Sequence, residues 1–235
     1  MKVIEIFKSI DGEGVRAGIP ATFIRLEGCN LRCSFCDTKY SYENAKYTEM
    51  TPKEILHEVR QLGLKRVTLT GGEPLIHENI VELVSLLLCD GMEVNIETNG
   101  AVDLNEFHDK LYKGRPVDFS DTIMQGILIY TVDYKCYESG MNDHMLEQNL
   151  EFLNSSKGSF KVLKFVVGSQ RDLELMKHVV TTNSLSRANV FVSPVFGMIE
   201  PKEIVEYILN NPELESVRIQ LQMHKIIWDP EMRGV

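Results

Sequence analysis

The chain has little that would tie it to a membrane, a nucleic acid or a secretory route. No apolar run approaches the roughly 20 residues that span a bilayer, and Met1-Lys2-Val3-Ile4-Glu5 lacks the shape of a signal peptide. Basic residues are the minority, 25 against 34 acids. The resulting net charge of −9 argues against a partner gripped along its phosphates by a basic stripe. No repeat, low-complexity tract or linker breaks the order of the sequence. The 235 residues are therefore read as one domain, 1–235, a length that suits an α/β barrel with a substantial core. An apolar content of 43% beside 25% charged residues excludes a disordered chain. Cysteine is scarce. There are five, clustered rather than spread as a disulfide framework, which fits a metal site in a reducing compartment and an expected cytoplasmic location.

What is present centres on Arg25 to Tyr40. Cys29, Cys33 and Cys36 stand in a Cys-x3-Cys-x2-Cys pattern directly after the apolar run Ala21 to Leu26. A structural zinc site normally closes its tetrahedron with four Cys or His ligands, and no fourth ligand is near, since His57 lies on a predicted helix. Three thiolates can instead hold an iron-sulfur cube and leave one iron open for an outside ligand. A zinc clamp or three unrelated thiols is the structural alternative. Of the other cysteines, Cys89 closes an apolar helical run and is read as a buried small hydrophobe. Cys136 is read as structural, although it follows Asp133-Tyr134-Lys135 and so falls close to candidate site residues.

Hydrophobic periodicity predicts strands over Lys2 to Phe7, Ala21 to Glu27, Arg66 to Thr70, Glu93 to Thr98, Gly126 to Tyr134, Lys161 to Val167, Asn189 to Ser193 and Ser216 to Leu221. Helices are predicted from Pro52 to about Leu62, Glu78 to Cys89, Leu104 to Tyr112, Asp143 to Leu153, Asp172 to Thr181 and Pro201 to Leu209. The first has an N-cap threonine, Thr51, then proline and an early acid, Glu54. The polar stretch Lys113 to Gln125 is left as a loop or short strand. Strands alternating with helices give parallel β/α units, here six or seven, and hence an incomplete β/α barrel open on one side. Ligands in parallel sheets bind beyond the carboxyl ends of the strands. That is where the cysteines, Thr70 to Glu73, Glu97 to Asn99, Asp133 to Lys135, and Ser193-Pro194 gather.

The second motif, Leu69-Thr70-Gly71-Gly72-Glu73-Pro74, follows a strand. Its glycines let backbone approach a ligand, and its acid can accept from an ammonium group. Together with the cysteine triplet it resembles the radical S-adenosylmethionine superfamily. Ile10-Asp11-Gly12-Glu13-Gly14, Arg25 and Cys36-Asp37-Thr38 narrow the resemblance, over the whole chain, to the 7-carboxy-7-deazaguanine synthase family. The resemblance implies a [4Fe-4S] cluster on Cys29, Cys33 and Cys36, with S-adenosylmethionine on the open iron. It also implies a reaction of queuosine and 7-deazapurine biosynthesis. There 6-carboxy-5,6,7,8-tetrahydropterin becomes 7-carboxy-7-deazaguanine by radical ring contraction with loss of ammonia, a lyase chemistry.

Carried over residue by residue, the resemblance places Ile10, Asp11, Gly12, Glu13, Arg25, Thr70 and His224 at the substrate. It places Phe35, Asp37, Gly72, Glu73, Thr98, Asn99, Asp133, Lys135, Ser193, Pro194, Val195 and Phe196 around S-adenosylmethionine. Thr38 is implied as the protein ligand of a Mg²⁺ ion, against the plainer reading of a loop hydroxyl or cap. The family commonly has Gln at the place of Asp11, which leaves the backbone contact there and questions the side-chain one. The chain also continues past His224 from Trp228 to Val235, so the segment Gln220 to Lys225 reads equally as strand end and packing. A homodimer and a flavodoxin or ferredoxin reductant are implied as partners.

Two other readings stand beside this one. A glycyl-radical-enzyme activase shares the cysteine spacing but has less use for Glu13 and Arg25. An electron carrier or metal-binding module needs neither an open iron nor an adenosyl pocket.

Overall fold

Apolar residues at every second position of successive strands dictate a sheet with one face covered by helices. The computed structural model describes residues 1–113, 126–157, 160–183, 185, 187–229 and 232–235. These form the strands β1 (Lys2–Ile10), β2 (Pro20–Leu26), β3 (Thr48–Glu49), β4 (Arg66–Gly71), β5 (Glu93–Thr98), β6 (Ile127–Tyr134), β7 (Phe160–Val167), β8 (Asn189–Pro194) and β9 (Arg218–Ile219). The helices are α1 (Pro52–Leu62), α2 (Ile80–Cys89), α3 (Leu104–Lys113), α4 (Glu147–Asn154), α5 (Gln170–Thr182), α6 (Pro201–Leu209) and α7 (Met223–Ile227). One sheet runs β3-β1-β2-β4-β5-β6-β7-β8-β9 and does not close. From β2 to β9 neighbouring strands are parallel, while β1 and β3 add an antiparallel edge. This is the incomplete barrel expected from the alternating pattern.

The element boundaries follow local chemistry. Thr51 caps α1 by accepting from the Glu54 N–H, and the Glu54 carboxylate accepts from the Thr51 N–H at 2.7 Å, a reciprocal cap. Gly63 ends the helix at φ 75°. Three details differ from the sequence reading. The strand expected over Ser216 to Leu221 shrinks to the two residues of β9, and the chain then turns into α7. Cys89, expected inside, is exposed at the last turn of α2. The helix expected from Asp143 begins at Glu147, after a short 3-10 turn. The stretch left as a loop or short strand lies outside the described residues, apart from Lys113, which ends α3.

The two faces of the sheet differ in chemistry. Leu69, Val94, Ile96, Val132, Leu163, Phe165 and Val192 are buried on the helix side and belong to one continuous core. The residues between them, Thr68, Asn95, Thr131, Asp133, Lys164 and Ser193, are polar and face inward. Cys136 is buried in the apolar core, as expected of a structural thiol.

The loop joining β1 to β2 turns into this polar interior. Arg16, 4% exposed, sits 2.9 Å from an oxygen of Asp11, donates to the Thr68 hydroxyl at 2.5 Å, and reaches the carbonyls of Val67 and Glu93. The Gln220 side-chain amide then accepts from the Gly14 N–H and donates to the Gly14 carbonyl. The loop thereby spans from the antiparallel edge to the last strand across the open side of the barrel.

Candidate active site

Strand polarity brings the motif loops to one mouth. The glycines of Gly71-Gly72 serve a close approach between the two motifs. A Cβ on Gly72 would fall 1.9 Å from the Gly28 carbonyl oxygen, and one on Gly71 2.2 Å from that of Leu26. Gly71 also holds φ at +136°, which favours glycine. Here the Gly72 N–H donates to Leu26 and the Glu73 N–H to Gly28, so the turn is laced to the backbone just before Cys29. Beyond it the cysteine loop is tied to the turn after β6, where the Ser34 N–H donates to the Ser139 carbonyl and its hydroxyl to that of Glu138.

A cavity of about 250 Å³ opens between these loops. Its wall holds all three cysteines of the triplet, together with Thr38, Phe35 and Asp37. Ile10, Gly12, Glu13, Arg25, Thr70 and His224 line it, as do Gly72, Thr98, Asn99, Asp133, Lys135, Val195 and Phe196. Four expected residues stand behind the wall. The Asp11 side chain turns inward to Arg16 and Thr68, because an arginine buried in the barrel requires a counter-charge, so only its backbone neighbours the site. Glu73 is 0% exposed, and its carboxylate accepts from the Leu75 N–H, the Asn99 N–H and the Thr98 hydroxyl, which fixes the turn and Asn99 from beneath. Ser193, also fully buried, donates to Glu13 at 3.0 Å. Pro194 leads into the wall at Val195 without lining it.

Cys29, Cys33 and Cys36 are free and half-buried. Burial pushes the thiols of Cys29 and Cys33 up, a cost that coordination as thiolates removes. Among the described residues no three His, Cys, Asp or Glu side chains converge on a point that could hold a single ion. Three thiols on one cavity wall are the donor set of an iron-sulfur cluster with one iron left open. Asn99 steadies the group, with its amide 3.6 Å from the Cys29 sulfur and 2.8 Å from the Asn30 side-chain oxygen. The Thr38 hydroxyl is 3.6 Å from the Cys36 sulfur.

The wall is charged yet balanced. It carries the cations Arg25, Lys135, Lys164 and Lys225 and the acids Glu13, Asp37, Glu97 and Asp133. Burial opposes ionisation of Asp133, but Lys135 at 2.9 Å and Lys164 at 3.1 Å outweigh it and hold the carboxyl below its usual range. Asp37 is likewise held down against desolvation, by Lys225 at 3.2 Å. Glu97 is pushed up to about 7 by desolvation, which Lys164 only partly offsets. Burial lowers the pKa of His224, whose ring packs so tightly over Gly12 that a Cβ there would lie 2.5 Å from Nδ1. Arg25 is oriented by the Glu5 carboxylate, which accepts from its Nε at 2.7 Å and from the Tyr40 hydroxyl at 3.1 Å.

Glu97, expected at the mouth beside Thr98 and Asn99, is on the wall too, as are Gln222 and Lys225 from the segment read as strand end and packing, and Lys164, which the sequence reading had not named for the site. For Lys164 a signal existed, a lysine inside the apolar run Lys161 to Val167. The tail after α7 returns to the same mouth, with Arg233 3.9 Å from the centre of the Tyr40 ring and Val235 on the wall.

Known proteins match this arrangement. A model of the radical SAM superfamily matches residues 23–122. The 7-carboxy-7-deazaguanine synthase of Clostridium acetobutylicum is 45% identical over 237 residues, covering 100% of this chain and 99% of that one. The chain belongs to the 7-carboxy-7-deazaguanine synthase family. The Chlorobaculum tepidum member is 35% identical, over 100% of this chain and 97% of its own. The crystal structure of QueE from Escherichia coli superposes with a TM-score of 0.68 at 25% identity, over 95% of this chain and 94% of that one. As a radical SAM enzyme of this family, the chain is neither a glycyl-radical-enzyme activase nor a simple electron carrier. The family carries a [4Fe-4S] cluster and S-adenosylmethionine, and the cysteine wall fits both. No helix among the described residues is long and apolar enough to cross a membrane.

Proposed function

We propose that the chain, acting as a single domain over residues 1–235, converts 6-carboxy-5,6,7,8-tetrahydropterin to 7-carboxy-7-deazaguanine by radical ring contraction with loss of ammonia. The observation that carries this reading is the shared cavity of three free thiols, a glycine turn and a balanced ring of charges. When bound, the reduced cluster and S-adenosylmethionine supply an adenosyl radical that abstracts hydrogen from the substrate.

Everything else falls to the chain itself. Cys29, Cys33 and Cys36 hold the cluster. The Gly72 backbone, Phe35, Asp37, Thr98, Asn99, Asp133, Lys135, Val195 and Phe196 enclose S-adenosylmethionine, whose opposite charges suit a wall with charges of both signs. Glu73, Ser193 and Pro194 support that enclosure from behind. Glu13, the backbone of Ile10 to Gly12 and the Thr70 hydroxyl take the donors and acceptors of the guanine-like edge. Arg25, steadied through Nε by Glu5, offers its remaining fork to the substrate carboxylate. A neutral His224 closes the site over Gly12 as a combined donor and acceptor.

Thr38 is assigned to Mg²⁺. A hard ion that keeps water and substrate oxygens needs few protein ligands, which agrees with one hydroxyl on the wall. A flavodoxin or ferredoxin is the proposed electron donor, a homodimer the proposed assembly and the cytoplasm the proposed location. Five free cysteines and an oxygen-sensitive cofactor support the location.

The test is anaerobic reconstitution followed by incubation with S-adenosylmethionine, reductant and the pterin, with and without Mg²⁺, reading deazaguanine by mass. Product is expected, with a rate that rises with Mg²⁺ and does not in Thr38→Val. Formation of 5′-deoxyadenosine without deazaguanine overturns the substrate, and Mg²⁺-independent turnover overturns the Thr38 assignment.

A further inference from the structure

Lys164 links two groups that belong to different ligands. It projects inward from β7, level with Asp133, its register partner on β6. Its ammonium lies 3.0 Å from a Glu13 oxygen and 3.1 Å from an Asp133 oxygen, with the side chain only 9% exposed. Burial opposes its charge, yet Asp133, Glu13 and Glu97 outweigh that penalty and keep it protonated. Each carboxylate has a second restraint of its own. Glu13 accepts from Ser193 at 3.0 Å and Gln222 at 3.4 Å, and Asp133 accepts from Lys135 at 2.9 Å. Between the two carboxylates, Lys164 is the shared donor.

We infer that Lys164 is a positioning residue that couples the two halves of the site, so that pterin and S-adenosylmethionine each tighten the binding of the other through the Glu13–Lys164–Asp133 bridge. The inference rests on the proposed assignment of Glu13 to the substrate and Asp133 to S-adenosylmethionine. A ligand that fixes one carboxylate fixes the shared ammonium, and with it the other carboxylate, before the second ligand arrives. The second ligand then loses less freedom on binding. Linkage requires the same factor in both directions. A coupling on the order of tenfold lies within the usual range for two sites in one protein.

The experiment uses reconstituted enzyme with its cluster, held anaerobic and without reductant so that nothing turns over. Calorimetry gives the Kd of S-adenosylmethionine with and without saturating 6-carboxy-5,6,7,8-tetrahydropterin. In the wild type the pterin is expected to tighten it about tenfold. In Lys164→Met the ratio should fall close to one although each ligand still binds, and Lys164→Arg should restore part of it. A lysine that merely supports the fold would weaken both affinities and leave the ratio unchanged, which overturns the inference. A wild-type ratio of one overturns it without any variant, and so covers the case in which Lys164→Met does not fold. Absence of pterin binding in the wild type overturns the substrate reading together with the inference, whereas binding without coupling overturns the inference alone.

Discussion

The strands of this sheet carry opposite chemistries on their two faces. On β5, Val94 and Ile96 point to the helices and are fully buried among apolar side chains, while Asn95 between them and Glu97 after them point inward. On β7, Leu163 and Phe165 pack outward and Lys164 inward. The outer face gains stability from area removed from water, which is non-directional and tolerant of exact partners. The inner face gains little net stability from its ion pairs, since desolvation offsets most of their attraction. What it provides instead is orientation of charge around a cavity. Fold and chemistry are thus separated by a single residue step along each strand.

That separation can be broken at its most consequential point by Cys33→Ala. The variant should lose cluster iron and all turnover, measured by iron content, visible absorbance and product. Its thermal unfolding without the cluster should match that of the wild type likewise without it. On the outer face, Phe165→Ala should cost about 3–5 kcal/mol in denaturant unfolding, since it opens a cavity at a site that is 0% exposed.

Arg16→Met tests a place where the inner face does hold the fold. It leaves Asp11 buried without its counter-charge and should cost about 3–5 kcal/mol, with Asp11→Asn in the same chain recovering most of the loss. Recovery in the double variant would show that the pair, rather than either side chain, is what matters there.

Glu97 gives a smaller, pH-dependent effect. Its carboxyl titrates near 7 in the folded chain, above its ordinary value of 4.5. The folded state therefore holds the proton more firmly. The resulting stabilisation is complete below about 4.5 and is lost as pH rises through about 7. Glu97→Gln should remove this term, so wild-type stability should fall relative to the variant between pH 5 and 7 by up to about 1.4 kcal/mol per pH unit. Parallel unfolding curves for the two proteins across that range would contradict the raised pKa. The smallest effect is expected for Cys89→Ser, where exposure predicts a change within about 0.5 kcal/mol.

The outer face was readable in the sequence because its signal is local. The periods of the apolar residues placed β5 and α6 with the observed boundaries and most other elements within a few residues. The cysteine triplet and the glycine turn were readable for the same reason, since each is a contiguous string. The inner network was not, because its partners meet only when the sheet curls. Glu13 and Lys164 are 151 residues apart, Glu13 and Ser193 180, and Gly14 and Gln220 206. A motif also does not say which way its side chain turns. Glu73 and Asp11 sit inside readable motifs yet point into the protein, where buried donors claim them. Cys89 failed as a buried residue because it ends α2 on the solvent side, while Leu87 and Leu88 of the same turn fill the core.

The most direct test of the divided sheet compares neighbours on one strand. Ile96→Ala and Glu97→Gln should each be made in the reconstituted enzyme, and Tm and turnover measured side by side at neutral pH. Ile96→Ala is expected to lower Tm by several degrees, with the folded fraction still turning over near the wild-type rate. Glu97→Gln, which removes an acid from the cavity wall, is expected to leave Tm nearly unchanged and to cut turnover about tenfold, the rate equivalent of about 1.4 kcal/mol. A Glu97→Gln enzyme of wild-type activity, or an Ile96→Ala enzyme of unchanged stability, would contradict that division.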